Sequence, residues 1–96
     1  MKTNLRDRIA TLLREARVNK GLSQIDVSKK LGYDSSQFIS NWERSLAVPP
    51  VKSLKKIAGI YGISPQTLYD VFLKMTLERA KTDFHSEFHG KKRSAI

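Results

Sequence analysis

Gly21, Gly32 and Gly62 divide this chain into short helical pieces, and the residues around them show how each piece starts and stops. Ahead of Gly21, Leu5, Ile9, Leu12, Leu13 and Ala16 recur at helical spacing, with Arg6, Arg8, Arg14 and Lys20 elsewhere around the helix. Asn4 or Thr3 can cap its start. Gly21 stops it, because glycine accepts the left-handed backbone that a helix end needs. Leu22-Ser23-Gln24-Ile25-Asp26-Val27 begins a second helix. Ser23 is its cap, Asp26 stands where a capping box has its acid, and Leu22 and Val27 occupy the two staple positions. That helix is short and ends at Leu31-Gly32. Tyr33-Asp34-Ser35 forms a turn, and Asp34, Ser35 or Ser36 can cap a third helix. Two short helices joined by a tight turn after glycine form a helix-turn-helix.

The third helix, Ser36 to Arg44, splits into two arcs at roughly 100° per residue. Ser36, Gln37, Ser40, Asn41 and Arg44 cover one. Phe38, Ile39 and Trp42 cover the other, with Glu43 at the border. The polar arc carries two amides, two hydroxyls and a guanidinium but no carboxylate. A merely solvated face usually holds Glu and Lys. Gln and Asn can pair bidentately with adenine in a major groove, and Arg suits guanine or phosphate. Taken alone, an ordinary amphipathic helix accounts for the period equally well. Trp42 and Phe38 read as core, Phe38 being the one that could also touch a thymine methyl.

Pro49 and Pro50 force a loop over Ser45–Val48. Pro50 can sit at the first position of a fourth helix, whose stripe is Val51, Leu54, Ile57, Ala58 and Tyr61. Ile63-Ser64-Pro65 opens a fifth helix with staple residue, cap and first-turn proline in order, and Leu68 stands opposite Ile63. Nothing breaks this helix before Gly90, so it is expected to reach about Phe84–Phe88. Leu68, Val71, Phe72 and Met75 would finish the core. A second stripe of Leu73, Leu77, Ala80, Phe84 and Phe88 steps close to a coiled-coil seam. The expected organisation is a core over residues 1–64, a long helix over 65–89 and a basic tail over 90–96.

The net charge of +9 is uneven: residues 1–64 hold 12 basic and 5 acidic side chains, residues 65–96 hold 6 and 4. A basic domain of 96 residues suits a polyanionic partner, nucleic acid or an anionic membrane. The absence of cysteine excludes disulfides, thiolate metal sites and thiol nucleophiles. The charged start lacks the apolar run of a signal peptide, and no stretch approaches the ~20 apolar residues that cross a bilayer. A cytoplasmic, nucleoid-associated protein is expected. His85 and His89 stand four apart, but Ser86 follows the first, where the metalloprotease signature has Glu. No metal, cofactor or catalytic residue is expected, and an enzyme is disfavoured because no phosphate loop or activated nucleophile is present.

Arg17…Gly21-Leu22-Ser23-Gln24…Leu31-Gly32…Ile39-Ser40…Glu43-Arg44…Pro49…Leu54…Ile57-Ala58…Gly62-Ile63-Ser64 closely resembles the Cro/repressor-type (XRE-like) helix-turn-helix family of bacterial and phage regulators. The resemblance spans about residues 5–72. It implies an all-α, five-helix, lambda-repressor-like domain that binds double-stranded DNA, here with an extended C-terminal helix. It implies that the second helix lies across the DNA backbone with Gln24 on a phosphate, at the positive end of a helix dipole. Ser36, Gln37, Ser40 and Asn41 would meet base edges in the major groove. Ser23, Lys29, Lys30, Ser35 and Arg44 join Gln24 as backbone contacts, and Arg17 would pair with Glu43 as a structural salt bridge. Three positions depart from the family pattern. The turn between Gly32 and Ile39 is one residue longer, Ser45 stands where glycine is usual, and Ser28 replaces a small alanine.

The expected function is a sequence-specific transcriptional regulator, a repressor acting as a homodimer on a palindrome. In the dimer, Leu73, Leu77, Ala80, Phe84 and Phe88 form the seam. Two rivals share the fold: an antitoxin that binds its operator and a toxin protein, and a domain used for protein contacts alone. The seam could also fold back over the monomer's own core.

Overall fold

The computed structural model describes residues 4–90, and their secondary structure is entirely helical. The basic tail expected after Gly90 lies outside the described residues.

Helix α1 spans Leu5–Asn19 and buries Ile9, Ala10 and Leu13. Its cap is Asn4, whose side-chain oxygen accepts from the Asp7 amide at 2.8 Å. Gly21 follows at φ +72°. Helix α2, Gln24–Leu31, starts with a complete capping box. The Ser23 hydroxyl accepts from the Asp26 amide at 3.0 Å, and the Asp26 carboxylate accepts from the Ser23 amide at 2.8 Å. The backbone bond first, then the hydroxyl, hold the Asp26 carboxyl below the usual carboxylate range. Helix α3 runs Gln37–Glu43 and buries Ile39, Trp42 and Glu43.

The fourth helix begins later than the sequence suggests. Val51–Ser53 form a 3-10 turn after an extended Pro50, and α4 covers Leu54–Tyr61. A 3-10 turn advances three residues per turn, which rotates Val51 off the α4 stripe. Val51 is 71% exposed and does not join Leu54, Ile57, Ala58 and Tyr61 in the core. Gly59 lies in the exposed face of α4, and a Cβ built there would meet nothing within 4 Å. A glycine inside a helix costs about 1 kcal/mol relative to alanine, and nothing in the internal packing requires it.

Helix α5 spans Pro65–His85, capped by Ser64, and one wider π-type turn carries it over Ser86–Gly90. Only its first half packs: Leu68 and Phe72 are buried, Val71 and Met75 half-buried. From Thr76 to His89 every residue is exposed except the half-buried Ala80. The helix therefore projects from the core, and the extents are 54 × 29 × 26 Å. It does not fold back over the domain. Each of the five helices supplies the core, in which a buried Leu, Ile or Phe contributes about 1.5–3 kcal/mol. No described helix is long and apolar enough to cross a membrane.

Candidate nucleic-acid interface

Helix α3 is only seven residues long and owes its position to tertiary contacts. Its apolar arc presses Ile39 and Trp42 into the core, and its last residue is clamped. Arg17 of α1 grips the Glu43 carboxylate with two parallel bonds, Nε to Oε2 at 2.8 Å and Nη2 to Oε1 at 2.9 Å. The remaining fork nitrogen, Nη1, donates to the Leu22 carbonyl at 2.8 Å. One guanidinium thus ties α1, the α1–α2 turn and α3 together. Hydrogen bonding to Glu43 holds Arg17 protonated to higher pH than usual, with burial working against it. Gln24 adds a third donor, Nε2 to Glu43 Oε1 at 3.2 Å. The amide that the resemblance assigns to a phosphate is engaged, in this state, with the carboxylate behind the recognition helix. The Tyr61 hydroxyl is buried beside this cluster. Burial, then the Glu43 charge, push its ionisation far above the ordinary tyrosine range.

On the outer arc, Gln37 and Arg44 are exposed, and Ser36, Ser40 and Asn41 are half-exposed. Gln37 Nε2 donates to Asn41 Oδ1 at 2.9 Å, so the two amides form a linked pair one turn apart. With its Oδ1 occupied, Asn41 leaves its amino group, and Gln37 its carbonyl, for an outside partner. Phe38 is not core. It is 54% exposed and packs against Tyr33, ring centroids 4.8 Å apart. It stands about 100° from Gln37 around the helix, at the edge of the apolar arc nearest Asn41. Tyr33 bridges outward to Phe38 and inward to Trp42, whose ring is edge-on at 6.0 Å. The sequence reading gave Tyr33 no role beyond the turn. An aromatic beside a helix-turn-helix turn was the available signal.

The longer turn has its own support. Buried Ser28 donates its hydroxyl to the Ser35 carbonyl, and the Ser35 hydroxyl accepts from the Gln37 amide at 3.3 Å. Ser36 occupies the cap position of α3 without a side-chain cap bond. After α3, Ser45 has a left-handed backbone at φ +65°. Its hydroxyl donates to Asp7 of α1 at 2.5 Å, and Arg6 Nη2 donates to the Leu46 carbonyl at 3.2 Å. The Asn41 carbonyl accepts from Leu46 and Ala47 amides at 2.9 and 3.3 Å. The loop leaving the recognition helix is thereby fixed to the first turn of α1.

Ser23, Lys29 and Lys30 are exposed, at the two ends of α2. Lys30 lines a groove with Lys20, Lys55 and Lys56, to which α3 contributes nothing. At the far end of the molecule the rings of His85 and His89 lie 4.6 Å apart.

A short helix crossing under a second one that presents an amide-rich, carboxylate-free arc is a helix-turn-helix, and the sequence profile of that family matches residues 13–68. The chain belongs to the helix-turn-helix family. It is a DNA-binding transcriptional regulator of the Cro/repressor type. The crystal structure of the clp gene regulator ClgR from Corynebacterium glutamicum shares the fold with a TM-score of 0.62 at 19% identity, covering 96% of this chain and 98% of that one. No curated protein sequence matches this helix-turn-helix chain.

Proposed function

We propose that the protein is a repressor that reads a specific operator through Gln37 and Asn41, flanked by Ser36 and Ser40, and binds as a homodimer. The observation that carries the reading is the exposed α3 arc: hydrogen-bonding amides and hydroxyls outward, Ile39 and Trp42 inward, with Glu43 locked behind. Exposed Arg44 on this arc, with exposed Ser23, Lys29 and Ser35 off it, supplies backbone contacts in the proposal. Gln24 Nε2 spends one of its two N–H donors on Glu43 and keeps the other for a phosphate in the proposal.

The dimer rests on two considerations. One such domain touches few base pairs, too few for selectivity in a genome. Leu73, Leu77, Phe84 and Phe88 are 43%, 58%, 67% and 77% exposed on one helix, a stripe that needs a partner to leave water. A two-fold through α5 gives half-sites about one DNA turn apart.

Selection of bound duplexes from a random pool tests the proposal. The expected result is a palindrome of two short half-sites. A pool that stays random after selection would show that α3 does not read sequence. An asymmetric single site would remove the dimer and leave the reader. Purification with a stoichiometric second protein on α5 would instead favour the antitoxin reading.

A further inference from the structure

The α3 arc and the α5 seam leave one strongly charged surface unused. Lys20 at the end of α1, Lys30 at the end of α2, and Lys55 and Lys56 on α4 surround a groove of about 540 Å³. No residue of α3 or α5 lines it. Among the described residues none of the four lysines lies within ion-pair distance of a carboxylate, although Asp26 is near enough to sense Lys29 and Lys30. The exposed Lys20 side chain passes over Gly62: its Cδ lies 3.1 Å from where a side chain there would start. That brings its ammonium to the carboxyl end of α4, where a cation is favoured.

The lining is not all cationic. Half-buried Leu22 and Ile60 contribute apolar surface, and Gly59 leaves bare helix backbone. Gly59 weakens α4 and fills no internal need, since the space around its missing Cβ is open. A glycine on an exposed helix face, lining a cationic groove, permits close approach by an outside chain.

We propose that this groove is a docking site for an acidic, partly apolar segment of a partner protein. Carboxylates would meet the four lysines, and an apolar side chain would lie on Leu22 and Ile60 with its backbone close to Gly59. A nucleic-acid strand fits less well. It is charged at every repeat and gains nothing from the apolar Leu22 and Ile60. The site is independent of which operator α3 reads and of the α5 dimer.

The test uses the full chain, isotope-labelled, titrated with a synthetic helical peptide of Glu and Leu at amphipathic spacing. A Gln/Leu peptide of the same pattern and a random duplex run in parallel. The Glu/Leu peptide should shift the amides of Leu22, Gly59 and Ile60 and leave those of α3 in place. Gly59→Leu should fill the groove and weaken the peptide about tenfold while binding to selected DNA is unchanged. Lys55→Glu with Lys56→Glu should weaken the peptide about tenfold through lost and reversed charge. Gly59→Ala serves as the folding control: it should raise the melting temperature and still weaken the peptide. The proposal is overturned if the peptide binds nowhere or shifts α3. It is equally overturned if the Gln/Leu peptide binds as tightly, if Gly59→Leu has no effect, or if random DNA shifts the groove amides.

Discussion

The Ser28 hydroxyl donates to the Ser35 carbonyl, joining two departures from the family pattern that look unrelated in the sequence. An alanine at position 28 has no donor, and the Ser35 carbonyl in the turn takes the one that Ser28 offers. Ser28 is 2% exposed, so water cannot replace the bond at its own end. Ser28→Ala is expected to cost about 1–2 kcal/mol, read by urea denaturation. Hydrogen exchange should rise first in residues 33–38. A variant as stable as the parent would mean that the turn holds itself.

Ser45 adopts a backbone that favours glycine, and Asp7 compensates. Three substitutions separate the two contributions. Ser45→Gly relieves the backbone and loses the bond, so its net effect should stay within about 0.5 kcal/mol. Ser45→Ala keeps the strain and loses the bond, and should be the least stable at about 1 kcal/mol below the parent. Asp7→Ala should fall close to Ser45→Ala. Equal stability of Ser45→Ala and Ser45→Gly would remove the backbone strain from the account, and an Asp7→Ala variant as stable as the parent would remove the bond.

Glu43 is buried against Arg17 and Gln24. Glu43→Ala leaves the guanidinium without its counter-charge, at an expected cost of about 3–5 kcal/mol. Replacing both partners, Arg17→Met with Glu43→Leu, should recover most of that loss. Thermal melts of the single and double variants check it, and an additive double variant would contradict the buried-pair account.

The Gln37–Asn41 bond predicts coupling between the two proposed base readers. Each alanine variant should weaken binding to the selected operator by about 1–3 kcal/mol. The double variant should lose less than the sum by at least about 0.5 kcal/mol, since either single change already frees the other amide. Competition assays on the parent site and its single-base variants measure both quantities. Strict additivity would mean that the amides read separately.

Leu77→Glu with Phe84→Glu should turn a dimer into a monomer that keeps its core, because both side chains are exposed and neither touches the α1–α4 packing. Sedimentation and palindrome binding report the change, with affinity expected to fall while single half-site binding persists. A parent that is monomeric while saturating the full palindrome would remove the seam as an interface.

Much of this molecule was readable one helix at a time. Caps, glycine stops and staple residues depend on neighbours within four positions, so Ser23, Asp26 and Ser64 could be assigned from the sequence alone, Asn4 as one of two candidates, and so could the order of five helices. The two-sided character of α3 is likewise local periodicity. Other features depend on which distant surfaces meet. Phe38 sits at the arc's edge, and only the position of Tyr33 decides that it stays outside the core. Val51 left its stripe because the backbone after Pro50 took a tighter turn than the helix that follows. Gln24 faces Glu43 because α2 crosses behind α3, a contact across 19 positions. Ser28 with Ser35, Asp7 with Ser45, and the four lysines around Gly59 are juxtapositions made by helix crossing. Periodicity within one helix carries no information about them, because their partners lie on other elements and only packing brings them within reach.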